Sequence, residues 1–574
     1  MIQSLFKYIQ AHKKVYLIGL LLAIISGVIF IIPNYILQRF IDEIIQQKLT
    51  HQSLILYCGI FLMITLMAYF LDMIWVKMLF KQSYNYQKEL RMNVFNRLLV
   101  YRRPFYQRFR SGDLMTRMTS DIDELGATMS YGVLIMVSDC IWLIMVFIYL
   151  LVAISWKLTL MSTFPLIFFG VTVFYVGKAV DHRYTASRDA VAELSNEVLE
   201  VVEGVRVMRA YGRRDLEQER FQARTQTVVE KANHQYAMNA LYTPTIRFFT
   251  GMSMMISLGY GAIQVNSGLI SLGQLIAFQI YLGIFLYTIW GISDIFALYQ
   301  TGKVSYRKIS ELLEDQNISE ASGNRSTDHI EAIEFNHYWF DYPETEQSQL
   351  KDINLTIHKG QTLGVVGKTG SGKTTLLIQL LRQFPVDGRG SLKLNGHNIQ
   401  EYQIAEIENL IGYVPQEHIL FSKSVKENIL FGKENANMEE LGQAIQQAHF
   451  TADIEHLSAG LETLIGEKGV SISGGQKQRI SIARALIKQP ELLILDDSLS
   501  AVDAKTEKAI ISQIREIRQD KTNIIVTHRL SAVANADQVI VLENGRIVEQ
   551  GSPQTLLNQS GWFKEQYIRQ QMEE

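Results

Sequence analysis

Residues 362–375 read TLGVVGKTGSGKTT. Thr362 to Val366 form a short β-branched, strand-like run. The next nine, Gly367-Lys-Thr-Gly-Ser-Gly-Lys-Thr-Thr375, match G-x-x-x-x-G-K-[ST] and lead into an apolar helical pattern that begins near Leu376. A strand, a glycine-rich loop and a helix in that order make a phosphate cradle. The glycines let backbone N–H groups close around phosphate oxygens, Lys373 reaches the β and γ phosphates, and the Thr374 hydroxyl ligates Mg²⁺. The expected phosphate contacts are Gly367, Lys368, Thr369, Gly370, Ser371, Gly372, Lys373, Thr374 and Thr375.

Working outward, strand-like runs (Leu492 to Leu495, Asn523 to Val526, Val539 to Leu542) alternate with helical patterns from His329 onward, which predicts a largely parallel sheet covered by helices over 329–574. Leu492-Leu-Ile-Leu495 ends in Asp496 and Asp497, and a carboxylate at a strand's carboxyl end can hold a Mg²⁺ shell. Upstream, Ser473, Gly474, Gly475 and Gln476 open a helical pattern (Lys477 to Ile487) whose N-terminus accepts negative charge; alone, the Gly-Gly pair reads equally as a turn. His528 follows a strand, where a lone histidine is more often packed than catalytic.

The other half of the chain is apolar. Val15 to Leu37 reads VYLIGLLLAIISGVIFIIPNYIL without a charge, long enough to cross a hydrocarbon core of about 30 Å. It is too long for a cleaved signal's apolar region. Six spans are predicted, at about 15–37, 54–80, 133–155, 158–179, 245–265 and 272–298, within a transmembrane domain over 1–313. Basic residues crowd the connections between spans two and three (Arg91, Arg97, Arg102, Arg103 and others) and between four and five, which places both connections and both termini in the cytoplasm. Those connections are long and helical in pattern. Residues 314–328, EDQNISEASGNRSTD, read as a linker.

Overall composition agrees with such a hybrid: 574 residues, 48% hydrophobic and 20% charged, with 55 basic against 57 acidic residues. The formal charge of −2 leaves no basic excess for nucleic acid. Cys58 and Cys140 lie inside apolar runs, which excludes a disulfide scaffold and predicts buried, unpaired thiols.

The loop, Ile472-Ser-Gly-Gly-Gln476, the Leu492–Asp497 strand and Thr527-His-Arg-Leu530, in this order behind six spans, resemble an ABC exporter half-transporter along essentially the whole chain. The resemblance implies a multi-domain fold, an all-α six-helix transmembrane domain followed by an α/β P-loop cassette, acting as an ATPase coupled to transport in the bacterial cell membrane. It implies that Tyr342 stacks on adenine, that Gln416 lies near Mg²⁺ with Thr374 and Asp496, and that His528 is the switch histidine. Ser473 to Gln476 would contact the γ-phosphate held by another subunit, Asp503 would belong to the D-loop, and Gly466-Glu-Lys-Gly469 to the X-loop. Two stretches resemble coupling helices: Ser111 to Arg117, with Gly112, Asp113 and Leu114, and Tyr211 to Phe221, with Tyr211 and Gly212.

One position departs from that pattern. Active cassettes of the family carry Glu after the strand's aspartate; here the residue is Asp497. A carboxylate one methylene shorter falls about 1.5 Å short of a water it must orient. The resemblance therefore narrows to the degenerate half of heterodimeric multidrug exporters of Gram-positive bacteria, with a non-identical ABC half-transporter supplying the catalytic Glu. The expected cargo is a hydrophobic or amphiphilic, cationic drug. Asp72, Asp139 and Asp294, with Trp142 and Trp290, are candidates for its cavity. A lipid or lipopeptide flippase, a homodimeric exporter and an ATP-holding regulatory subunit share these motifs.

Overall fold

The computed structural model describes residues 2–314, 323–343, 345, 347–385, 389–466, 472–499 and 504–573, with side chains except at 173, 174, 177, 181, 182, 289–294, 296, 297, 504, 505 and 573. It divides into two compact units: 1–97 with 112–314, and 98–111 with 315–574.

The first unit is helical. Its long elements are Lys13–Ile45, His51–Val100, Ser111–Ile154, Trp156–Ala210, Arg214–Asn266 and Leu272–Glu314. Fifty residues of helix in His51–Val100 reach about 75 Å, more than twice a hydrocarbon core of about 30 Å. Among the described residues four helices are long and apolar enough to cross a membrane, and Trp156–Thr172 and Leu272–Thr288 are further apolar stretches. The connection between the third and fourth helices is a single residue. Ser155 turns the chain with an extended backbone, and its Oγ accepts a hydrogen bond from the Leu158 N–H.

Lipid offers a polar side chain no partner, so such groups satisfy one another between helices. Asp72 accepts from Ser26 Oγ (2.6 Å) and Trp75 Nε1 (2.9 Å), and Tyr281 Oη donates to the Ile31 carbonyl (2.5 Å). Close approach sets the packing beside them. A Cβ on Gly27 would lie 2.9 Å from Ile141, next to the stacked Phe30–Trp142 pair. The outer faces carry exposed Leu17, Leu21, Phe61, Leu62 and Phe70, as lipid solvation requires. The same physics corrects the reading of the thiols: Cys58 is exposed and Cys140 half-buried, because an apolar run in a spanning helix is covered partly by lipid rather than protein.

A different exposure marks the hairpin formed by the end of Trp156–Ala210 and by Arg214–Asn239. No described residue from 188 to 252 is buried, although Val198, Leu199, Val202, Val207 and Phe221 lie within it.

In the second unit, one sheet holds the strands β1 (Ala332–Phe340), β2 (Leu350–His358), β4 (Ser391–Leu394) and β5 (His397–Asn398), in the antiparallel order β2-β1-β4-β5. The other holds β3 (Thr362–Gly367), β6 (Ile411–Val414), β7 (Leu492–Asp496), β8 (Thr522–Val526), β9 (Gln538–Glu543) and β10 (Arg546–Gly551), in the order β10-β9-β3-β8-β7-β6. All of its pairs are parallel except β9–β10. β3, β7 and β8 are buried throughout, which is why they read as continuous apolar runs instead of alternating ones. Their carboxyl ends converge on one crevice edge, where α/β sheets bind ligands.

Residues 98–111 pack on this unit. Arg102 is extended, and Pro104 lies in the first turn of the short helix Arg103–Arg108. Phe105 is fully buried and stacks on Tyr101, Arg103 N–H donates to the Gln383 carbonyl (3.2 Å), and Arg102 pairs with Glu408 (3.0 Å).

Candidate nucleotide site

The loop after β3 needs backbone that only glycine adopts readily. Gly367 has φ 145°, and a Cβ there would stand 2.2 Å from the Leu542 carbonyl oxygen; Gly372 has φ 104° and precedes the helix Lys373–Leu380. The loop wraps the Lys373 ammonium, which donates to the carbonyls of Gly367 (2.9 Å) and Lys368 (3.0 Å). Burial holds the Lys373 pKa below the usual lysine value, against the pull of Asp497 and Asp496. Lys368 itself reaches the rim, 3.5 Å from Glu543.

β7 delivers Asp496 opposite. Its Oδ1 accepts from Thr374 Oγ1 (3.2 Å) and its Oδ2 from Tyr413 Oη (3.4 Å). Burial raises the Asp496 carboxyl pKa in spite of those two hydrogen bonds. Tyr413, at the end of β6, was not singled out from sequence; its place next to Val414-Pro-Gln416 was the available signal. Gln416 Nε2 donates to Asp497 Oδ2 at 3.4 Å. Asp497 has φ 45°, a left-handed conformation that aspartate tolerates better than most residues, and its N–H is tied to the Val526 carbonyl (2.8 Å). His528 follows at the end of β8. Burial lowers its pKa from the ordinary histidine value; Lys373 lowers it further and Asp497 opposes.

These residues fit a nucleotide and a hard cation. Ser371 Oγ is buried within the loop without a hydrogen-bond partner, as a phosphate-facing hydroxyl would be. The Thr374 hydroxyl and Asp496 carboxylate converge as oxygen ligands of the kind Mg²⁺ takes. Tyr342 Oη shares a hydrogen bond with Thr375 Oγ1 (2.9 Å), and its ring packs edge-on against Phe340 and Phe384.

Ser473 to Gln476 stand elsewhere on the unit. Ser473 Oγ accepts from the Gln476 N–H (3.2 Å) while Gln476 Oε1 accepts from the Ser473 N–H (2.9 Å), a capping box that opens the helix Gly474–Leu486. Asp453 holds Gln476 Nε2 (3.3 Å) and Arg479 (2.9 Å). Ser473 and Gly474 are exposed.

Asp503 and most of the 466–469 stretch lie outside the described residues, as do the side chains of Asp294 and Trp290. Gly112, Asp113 and Leu114 belong to the first unit, where Asp113 pairs with Arg117 (2.9 Å) and Arg117 with Glu311 (3.0 Å). The preceding stretch, 98–111, is the one seated on the second unit. Tyr211 and Gly212 form an exposed turn, with Gly212 at φ 63°. Asp139 accepts from Ser138 Oγ (3.3 Å), and Trp142 lies in the Phe30 stack.

Comparison with known proteins agrees with this geometry. Residues 16–289 match the ABC transporter transmembrane region, and 350–500 match the ABC transporter family model. The chain is 42% identical over 566 residues to the "Probable multidrug resistance ABC transporter ATP-binding/permease protein YheI" of Bacillus subtilis, covering 98% of this chain and 97% of that one. It is 32% identical to the "Multidrug resistance-like ATP-binding protein MdlA" of Escherichia coli, covering 99% and 96%. In fold it is similar to a bacterial Atm1-family ABC exporter solved with ATP bound, with a TM-score of 0.82 at 21% identity over 97% of this chain and 99% of that one. The chain belongs to the ABC transporters, as an exporter half in which a helical membrane domain is fused to an ATP-hydrolysing cassette that drives export across the bacterial membrane.

Proposed function

We propose that this chain is the degenerate half of an asymmetric exporter of hydrophobic or amphiphilic, cationic drugs. The observation that carries the reading is Asp497, a short carboxylate at the position of the family's catalytic Glu, held 3.4 Å from Gln416. ATP supplies the γ-phosphoryl group whose hydrolysis drives transport. Here Lys373 and the loop amides bind its phosphates, Thr374, Asp496 and Gln416 hold Mg²⁺, Tyr342 stacks on the adenine, and His528 contacts the terminal phosphate. Asp497, His528 and Gln416 are this chain's own catalytic residues, and Asp497 makes its own site slow. Ser473 to Gln476, with Ser473 and Gly474 exposed at a helix N-terminus, complete the site of a non-identical partner that carries Glu, together with the D-loop residue Asp503.

A partner is also supported by the uncovered hairpin. Val198, Leu199, Val202 and Phe221 lie outside any apolar span on an arm where no described residue from 188 to 252 is buried, which a second subunit would cover. Residues 98–111, with Gly112, Asp113 and Leu114 just beyond, and the Tyr211–Gly212 turn are the segments that carry cassette closure to the membrane helices, switching them from inward- to outward-facing. The N- and C-termini are cytoplasmic, as the basic connections imply. For the cargo, Asp139 and Asp72, with Trp142, supply an acidic, aromatic wall. The names of the relatives support drugs over lipids, and transport assays on both cargo classes separate the two.

The test is ATPase activity in lipid, for this chain alone and co-expressed with the ABC gene beside its own. Activity that requires the partner is expected. Full activity of the chain alone would make it a homodimeric exporter, and activity unaltered by replacing Ser473 would make it an ATP-holding regulatory subunit.

A further inference from the structure

The last helix, Trp562–Glu573, is anchored by the fully buried Phe563, with Tyr567 one turn on stacked against it. Gln570, seven residues beyond Phe563, lies on the same helix face. Its carboxamide grips one stretch of backbone twice: Oε1 accepts from the Leu530 N–H at 2.8 Å, and Nε2 donates to the His528 carbonyl at 2.8 Å. An amide that satisfies both the donor and the acceptor of residues two apart fixes the loop's height and its rotation together.

Other ties hold the loop's flanks. Thr527 N–H donates to the Val365 carbonyl (3.3 Å), Thr527 Oγ1 accepts from the Arg529 N–H (2.9 Å), and Arg529 reaches Glu507 (2.7 Å), whose side chain is 4% exposed. Gln570 adds a hold on the His528 carbonyl from an element outside the loop.

We propose that Gln570 is a positioning residue for nucleotide discrimination: the last helix sets the His528 backbone so that the imidazole meets the terminal phosphate, which ATP has and ADP lacks. The inference rests on the reading of His528 as a γ-phosphate contact. It adds to that reading a residue more than forty positions away, on an element that carries no nucleotide motif.

The experiment uses the full chain in lipid nanodiscs with Mg²⁺. Displacement of bound trinitrophenyl-ATP by AMP-PNP and by ADP gives the affinity ratio for wild type, Gln570→Leu, Gln570→Glu, His528→Ala and the Gln570→Leu/His528→Ala pair. Losing a hydrogen bond to a charged phosphate should lower the AMP-PNP/ADP ratio about tenfold in His528→Ala. Gln570→Leu should lower it roughly three- to tenfold with ADP affinity unchanged, and should add nothing in the His528→Ala background. Gln570→Glu, which sets a carboxylate against the His528 carbonyl, should behave like Gln570→Leu. Amide exchange across 527–532 should speed up while β9 stays protected. An unchanged ratio in Gln570→Leu beside a lowered one in His528→Ala overturns the proposal and leaves the reading of His528 standing. Equal loss for both nucleotides, or additive loss in the pair, overturns it in favour of a purely structural role. No effect in His528→Ala overturns both.

Discussion

Replacing Asp497 with Glu tests the geometry most directly. The backbone at Asp497 is fixed, with φ 45° and its N–H on the Val526 carbonyl, so the side chain's reach is set by its length alone. One more methylene carries the carboxylate about 1.5 Å further past Gln416. A misplacement of roughly 1 Å costs about 10²-fold, and a positioned general base contributes about 10²- to 10⁴-fold in all. The lower figure corresponds to about 2.7 kcal/mol of barrier. Against it stands a backbone cost of roughly 1 kcal/mol in stability, because Glu suits the left-handed region less well than Asp. The assay is phosphate release by the chain alone in nanodiscs, where each P-loop faces an intact Ser473–Gln476. Wild type should turn over at a trace rate and Asp497→Glu about a hundredfold faster. Paired with a partner that already has a working site, the same change should give no more than about a twofold gain. A wild-type chain that alone reaches the roughly 10 s⁻¹ typical of enzymes, changed less than twofold by Glu, would refute the argument.

Proton linkage at His528 gives a second expectation. Burial and Lys373 hold its pKa below the ordinary value, and an arriving phosphate raises it, so binding takes up a proton. A bound-state pKa above the free-state one strengthens ATP binding as pH falls through the bound value. Affinity should therefore rise from about pH 7.5 to about pH 5.5 by more than in a His528→Gln control; identical slopes would exclude the histidine as the source. Phe105→Ala empties a fully buried site and should destabilise the seat of the 98–111 segment by about 3–5 kcal/mol. Drug stimulation of the ATPase should vanish while nucleotide affinity stays within about twofold; intact stimulation would remove this segment from coupling. Asp139→Asn should weaken export of cationic dyes more than neutral ones, and equal effects on both would end the acidic-cavity reading.

The cassette's motifs were legible because their chemistry is local: the Gly367–Thr375 spacing, the Asp496 position and the Ser473–Gln476 cap are each written within nine residues. The apolar runs that become β3, β7 and β8 were legible for a related reason, since a strand buried on both faces has no polar side to interrupt its pattern. Sheet order was not legible, because parallel partners come from segments far apart in the chain: Val365 lies beside Val526, and Leu495 between Val414 and Ile525. The seat on the cassette is subtler. The stretch that resembles a coupling helix begins at Ser111, and the residues packed on the cassette unit lie just before it, where extended Arg102 precedes Pro104 and puts Phe105 into the core. Arg103-Pro104 and the Phe105/Phe109 pair one turn apart are the local signals of that seat, since proline favours a helix start.

Gln570 lies at the far end of that scale. Nothing around it in sequence marks a site, and only the burial of Phe563, which orients the whole last helix, brings its amide to the His528 peptide. Residues that touch phosphate must have particular chemistry and so leave a motif. A residue that positions them needs only an amide at the right distance, and several side chains from several elements could supply one. Such positions are therefore invisible to spacing, and in this chain they concentrate where the P-loop's neighbouring strand ends. The loop after β8 is thereby held from β3, from Glu507 and from the last helix together. A loop fixed from three elements moves only when those elements move, which ties the state of the nucleotide at Lys373 to the packing of the cassette as a whole.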